Sequence, residues 1–272
     1  MDFEYILAIG VIILYSLGTF GMLLGTLALH RPLKALADRI TLAGFSLHTV
    51  VAVAMLASNG FTALPMGYYP QLMAWSLIFL YICAWGWLRL PFLGLTAAPL
   101  ALLLYILSMR LSYTPALLPE HLSGLFFTLH IWSLYLSLGL LAMAFGAGVL
   151  FVYMESRLKK KLPMAEFTRD LPSLAACDKV NHIAVTAGFP LYTLGLMSGF
   201  IWAPMAKTIV ENPKVLLSLV VWLLYALFFY QRTALRYRGK KTAVMAIVIF
   251  GISVLSFGID YAISHHSTQM FP

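Results

Sequence analysis

Long apolar runs separated by short polar stretches dominate this chain of 272 residues. About eight of them approach the ~20 residues an α-helix needs to cross a hydrocarbon core. They lie at roughly 4–29, 39–58, 70–88, 91–110, 122–153, 181–204, 214–232 and 242–263. Within each run the apolar positions are continuous and do not alternate every second residue, which predicts lipid-embedded helices and argues against a β-barrel. The expected fold is all-α, a polytopic membrane helical bundle of about eight transmembrane helices forming a single domain over residues 1–272. Composition agrees: 61% of residues are apolar and 10% charged, with a mean hydropathy of +0.89. The first run lacks a basic leader and follows Asp2 and Glu4, so it is expected to be a retained helix and not a signal peptide.

Charge adds an orientation. Fifteen of the eighteen Lys and Arg fall in alternate loops: Arg31, Lys34 and Arg39, then Arg89, then the six from Arg157 to Lys179, then the five from Arg232 to Lys241. Arg110, Lys207 and Lys214 alone fall on the other side. Basic loops stay in the cytoplasm, which puts both termini outside a bacterial cytoplasmic membrane. The net charge of +8 is thus a topology signal and an attraction to anionic membrane lipid, with no reason to invoke nucleic acid. The longest basic loop, about 154–180, is expected to be partly helical on the membrane surface. Cys83 in the third helix and Cys177 in that loop supply neither a disulfide framework nor a CxxC motif.

Histidine placement carries the candidate chemistry, because an ionisable group inside a membrane helix is costly to keep. His30, His121 and His182 fall at boundaries or in loops where solvation accounts for them. His130 lies about two turns into the fifth helix from the outer face, and His265 and His266 end the eighth helix on that face. Imidazoles on facing helices can clamp a heme iron from both sides, and Phe126, Phe127, Trp132 and Tyr135 could wall the slot. A hydrogen bond from His130 to a neighbouring helix is the alternative. His48, in the middle of the second helix, reads equally as a deeper ligand or as a histidine bonded to a Ser or Tyr of another helix. Arg110, Lys207 and Lys214 could pair with heme propionates, and Asp260 could orient a histidine or face water. The chain shows no Ser-His-Asp set, Gly-rich phosphate loop or zinc spacing, so the expectation is a binder or carrier and not an enzyme. A transporter using His48 as a proton relay is weakened by the lack of an evident internal repeat.

Three stretches carry a family resemblance. PALLPEHLSGLFFTLHIWSLYLSLG resembles the segment of the cytochrome c assembly family, of CcsA/CcmC type, whose helix bears an outer histidine, here His130. LPSLAACDKVNHIAVTAGFPLYTLGLMSGFIWA is similar to its amphipathic segment and GFP-x-x-T-x-G helix. The last two helices resemble its W-x-x-YA, RG-basic and terminal-histidine pattern, with His265 or His266 as the second outer histidine. Two features depart from the family. The loop IWAPMAKTIVENPK keeps Trp202 and the ENPK of 211–214 but lacks the tryptophan-rich WG-x-x-W-x-WDPKE platform, and Tyr230 stands where some members have a transmembrane histidine. The chain therefore resembles the HemX-like branch, in which His48 matches a histidine of the second helix. The resemblance implies a membrane protein that holds non-covalent b-type heme near the outer face and works with cytochrome c assembly proteins. The alternative it implies is a regulator of heme synthesis, acting on a soluble enzyme such as glutamyl-tRNA reductase through the basic loops at 154–180 and 232–241.

Overall fold

The computed structural model describes residues 3–28, 30–59, 67–88, 91–109, 125–161, 172–202 and 213–269. Among these, eight α-helices follow one another: α1 (Phe3–Leu27), α2 (Arg31–Asn59), α3 (Tyr68–Leu88), α4 (Gly94–Ser108), α5 (Leu125–Lys159), α6 (Leu174–Trp202), α7 (Pro213–Thr233) and α8 (Lys240–Gln269). They form a polytopic membrane helical bundle. Every apolar run became a helix because in lipid a backbone must satisfy its own N–H and C=O groups.

Five of the helices, α1, α2, α5, α6 and α7, are long and apolar enough among the described residues to cross a membrane. α4 is a shorter apolar helix of 15 residues, entered through a 3-10 turn at Pro91–Leu93. α3 carries Pro70, Gln71, Trp75, Trp85 and Trp87, which lower its hydropathy. Helix ends also move from the expected positions. α2 begins at Arg31, eight residues before its apolar run, because nothing in Arg31–Arg39 breaks a helix. Cys177 is a buried residue of α6 and not of a loop, since α5 runs to Lys159 and α6 starts at Leu174.

The packing order reveals a repeat that the run pattern hides. α1 packs on α2 and α4, and α3 on α2 and α4; α5 packs on α6 and α8, and α7 on α6 and α8. The two four-helix halves meet where α3 and α4 touch α5. Corresponding helices carry the same motif, A-G-F-x-L-x-T, at residues 43–49 of α2 and 187–193 of α6. In the first half Trp75 Nε1 of α3 donates to Thr49 Oγ1 at 2.9 Å, and Phe45 stacks on Trp75. In the second Trp222 Nε1 of α7 donates to Thr193 Oγ1 at 3.0 Å, with Phe189 tilted against Trp222. Each threonine hydroxyl donates in turn to the phenylalanine carbonyl one turn back, at 2.8 and 2.9 Å. The indole thus reaches an acceptor in a setting without water. Each half also has an aspartate clamp towards the basic end: Tyr81 donates to Asp38 in the first, and Arg232 to Asp178 in the second. The expectation of no internal repeat is corrected by these matched contacts.

Candidate functional site

His130 sits on the α5–α6 seam. Its Nδ1–H donates to the Gly195 carbonyl at 2.7 Å. Seven residues on, Ser137 Oγ donates to the Gly188 carbonyl at 2.8 Å. Seven residues forward on α5 match seven back on α6, so the helices run antiparallel in constant register. Gly195 and Gly199 make the close approach possible. A Cβ on Gly199 would stand 2.5 Å from His130 Nδ1, and one on Gly195 would stand 2.7 Å from a Leu134 methyl.

This bond decides which nitrogen can act as a base. A carbonyl only accepts, so the proton of neutral His130 is on Nδ1 and its lone pair on Nε2. A ring oriented through its other nitrogen by a carbonyl is how metal-bound imidazoles are commonly held.

Of the aromatic residues expected to wall His130, Phe126 shares its face of α5, one turn earlier, and is 45% exposed. Trp132 and Tyr135 lie about 200° and 140° round the helix from His130. They face the first half of the bundle: Trp132 meets Trp75 edge-on at 5.8 Å, and Tyr135 joins Ala52, Met55 and Leu72 in an apolar cluster. Phe127 turns the same way, onto Tyr69 at 6.5 Å. The contacts of these three residues are at the seam between the halves.

His48 is fully buried within the first half. Its Nδ1 shares a hydrogen bond with the Tyr15 hydroxyl of α1 at 3.1 Å, and the Tyr105 ring of α4 stands edge-on at 4.8 Å. Its Nε2 has no hydrogen-bond partner among the described residues. Tyr230 is 55% exposed on α7, which packs on α6 and α8, whereas α2 packs on α1 and α3. The structure does not bring Tyr230 and His48 together.

Trp202, Lys214, Asp260, His265 and His266 lie on described helices, but their side chains are outside the described residues, as are Arg110, Lys207 and His121 altogether. Backbone register still fixes one depth. Phe145 of α5 meets Phe250 of α8 at 4.7 Å, and both helices continue unbroken to the end opposite the basic loops. Fifteen residues back along α5 reaches His130, and fifteen forward along α8 reaches His265, the same rise of about 22 Å.

Sequence reasoning missed two features. One is the buried ion pair in which Arg232 Nη1 and Nη2 reach Asp178 Oδ1 and Oδ2 at 2.9 and 2.8 Å, joined by Gly239 N–H at 3.0 Å. The other is Asn181, fully buried on α6, whose amide has no hydrogen-bond partner among the described residues. An aspartate and an asparagine near the start of an otherwise apolar helix were the available signals. His30, by contrast, is the cap of α2, accepting from Leu33 N–H at 3.1 Å. No group of three or more His, Cys, Asp or Glu suited to a metal ion exists among the described residues.

Residues 68–265 match the family model described as cytochrome C assembly protein. The chain is 36% identical over 77 residues to the cytochrome c biogenesis protein CcsA of Thermosynechococcus vestitus, covering 28% of this chain and 24% of that one. It is 35% identical over 82 residues to CcsA of Prochlorococcus marinus (29% of this chain, 26% of that one) and 32% identical over 92 residues to CcsA of Marchantia polymorpha (30% and 29%). The matched stretch is thus less than a third of the length of each of these relatives. No solved structure matches. With a model match that spans α3 through most of α8, the chain belongs to the cytochrome c assembly protein family.

Proposed function

We propose that this chain is a heme-holding protein of cytochrome c maturation, a carrier and not a catalyst, with His130 and His265 as the axial ligands near the outer face. The basic end lies in the cytoplasm, both termini lie outside, and the whole chain acts as one domain of a bacterial cytoplasmic membrane. The observation that carries the reading is the His130–Gly195 hydrogen bond, which assigns the lone pair to Nε2 and fixes the ring. The donor set fits a heme iron: two histidines at one depth of the bundle, of which His130 presents a neutral imidazole oriented by the Gly195 carbonyl. Bound there, non-covalent b-type heme would supply a low-spin, six-coordinate iron. His265 is preferred to His266 because it falls about 60° round α8 from the line of Phe250, whereas His266 falls about 160° from it.

The remaining roles follow from that choice. His130 holds its ring through Gly195, and Phe126 beside it limits water. Arg110, Lys207 and Lys214 neutralise the propionates at the outer rim, and Asp260 orients a ligand. His48 is the candidate for a deeper ligand, supported by its partnerless Nε2. The missing tryptophan platform favours the HemX-like branch, and on this reading heme is held without an aromatic surface that presents it.

Titration of the detergent-purified chain with hemin tests the reading. Saturable binding that weakens at least tenfold in His130→Ala supports it, and binding indifferent to His130 sinks it. A second reading, a regulator of a soluble heme-synthesis enzyme such as glutamyl-tRNA reductase, is favoured by the ordered basic turn after α7. There Arg232 donates to the Tyr237 carbonyl at 2.8 Å, and Arg236, Arg238, Lys240 and Lys241 stay exposed. It predicts that neutralising those exposed residues abolishes the cellular phenotype while His130→Ala does not.

A further inference from the structure

The junction of the two halves leaves a groove of about 310 Å³ near the basic end. Leu23, Thr26 and Leu27 of α1, Leu95 of α4, and Val149, Leu150 and Tyr153 of α5 line it. The one hydroxyl among the small residues there is spent internally, since Thr26 Oγ1 donates to the Met22 carbonyl at 2.7 Å. The groove therefore offers water almost nothing to bond. Its volume is about twice the ~150 Å³ of a dry protein cavity that takes up benzene, so it holds a flexible apolar body of some length.

Above the groove the chemistry changes sign. Arg157 lies seven residues after Leu150, two turns higher on the face of α5 that lines the groove, and Lys160, seven after Tyr153, lies in the turn that closes the helix. Lys161 follows at the helix end with φ of 49°, and Lys159 is engaged by Glu155 at 2.7 Å. Lys160 and Lys161 are exposed, and so is Arg31 at the same end of α2. An apolar slot with cations at its mouth matches one molecule of the bilayer in both of its parts.

We infer that this groove is a binding site for an anionic phospholipid of the leaflet at the basic end, with an acyl chain lying between α1, α4 and α5 and its phosphate beside Arg157 and Lys160. The lipid then joins the first half of the bundle to the second, at the boundary where α3 and α4 pack on α5. The inference does not depend on heme binding.

Native mass spectrometry of the full chain in detergent, supplied with equal phosphatidylglycerol and phosphatidylcholine, tests it. The expected result is retention of phosphatidylglycerol over phosphatidylcholine by roughly 25-fold, about fivefold for each of the two basic residues at a membrane surface. In the Arg157→Gln/Lys160→Gln variant the preference falls to near unity while some lipid is still retained. Leu150→Trp, which fills the groove, loses retention of both lipids. The double variant leaves the apolar lining of the groove unchanged, and because Arg157 is half-buried its folding is checked by circular dichroism and by elution as a single species. Equal retention of the two lipids by the wild type, or a preference that survives the double variant, overturns the proposal.

Discussion

His130 and Gly195 are joined across the α5–α6 seam by a 2.7 Å hydrogen bond, with Gly199 one turn further along α6 lying against the same ring. The ring can be held there only while both glycines lack a side chain. Gly199→Ala places a methyl 2.5 Å from Nδ1 and forces the ring or the helix to move. A loss of about 1–3 kcal/mol in stability is expected from such overpacking. Thermal unfolding in detergent measures it, and Thr186→Ala, whose exposed hydroxyl bonds within its own helix away from the His130 ring, serves as the neutral comparison.

The two tryptophan–threonine links are expected to be energetically alike, because each joins the same motif to the next helix. Double-mutant cycles with Trp75→Phe/Thr49→Val and Trp222→Phe/Thr193→Val should each give a coupling of about 0.6 kcal/mol, with a ceiling near 1.7. A coupling in one half and none in the other would deny the equivalence of the halves.

The Asp178–Arg232 pair carries a different expectation. The arginine side chain is 4% exposed and the aspartate 19%, so removing Asp178 strands a buried charge, whereas removing Arg232 leaves a partly solvated one. Asp178→Asn should cost about 3–5 kcal/mol, Arg232→Met less because the carboxylate it leaves is partly solvated, and the double substitution should cost less than the sum of the two. Unfolding midpoints of the three variants check this. The loss is expected to include the ordered turn after α7, since Gly239 N–H also depends on the Asp178 carboxylate.

His48→Phe removes the partner of the Tyr15 hydroxyl in a site without water. A cost of about 1–3 kcal/mol follows from the stranded hydroxyl, and adding Tyr15→Phe should return part of it. Comparing the unfolding of the single and double variants decides the matter. If the double variant is no more stable than His48→Phe alone, the hydrogen bond is not what His48 supplies.

Much of this architecture was legible because lipid imposes a single requirement, a helix for every long apolar run. The ends were less legible. Arg31 to Arg39 lies outside the apolar run of α2 yet continues its helix, since charged residues at an interface need not break one. The repeat escaped notice because five residues of seven recur in A-G-F-x-L-x-T, while the tryptophan that completes each unit lies on the next helix, 26 or 29 residues away. His130 was legible as an ionisable group inside a membrane helix, whereas Trp132 and Tyr135 contact other helices and not its ring. Neighbours in sequence need not share a face, because the 100° turn per residue sends these two towards α2 and α3. Asp178 and Arg232 are 54 residues apart, and no local pattern foretells such a pair.

The central claim, axial ligation by His130 and His265, is tested most directly by visible spectra of heme-loaded protein, oxidised and reduced. Wild type should be set beside His130→Ala, His265→Ala and His266→Ala. The account predicts a low-spin Soret band and sharp reduced α and β bands, lost in His130→Ala and His265→Ala and retained in His266→Ala. Sharp bands that persist unchanged in His130→Ala would contradict it.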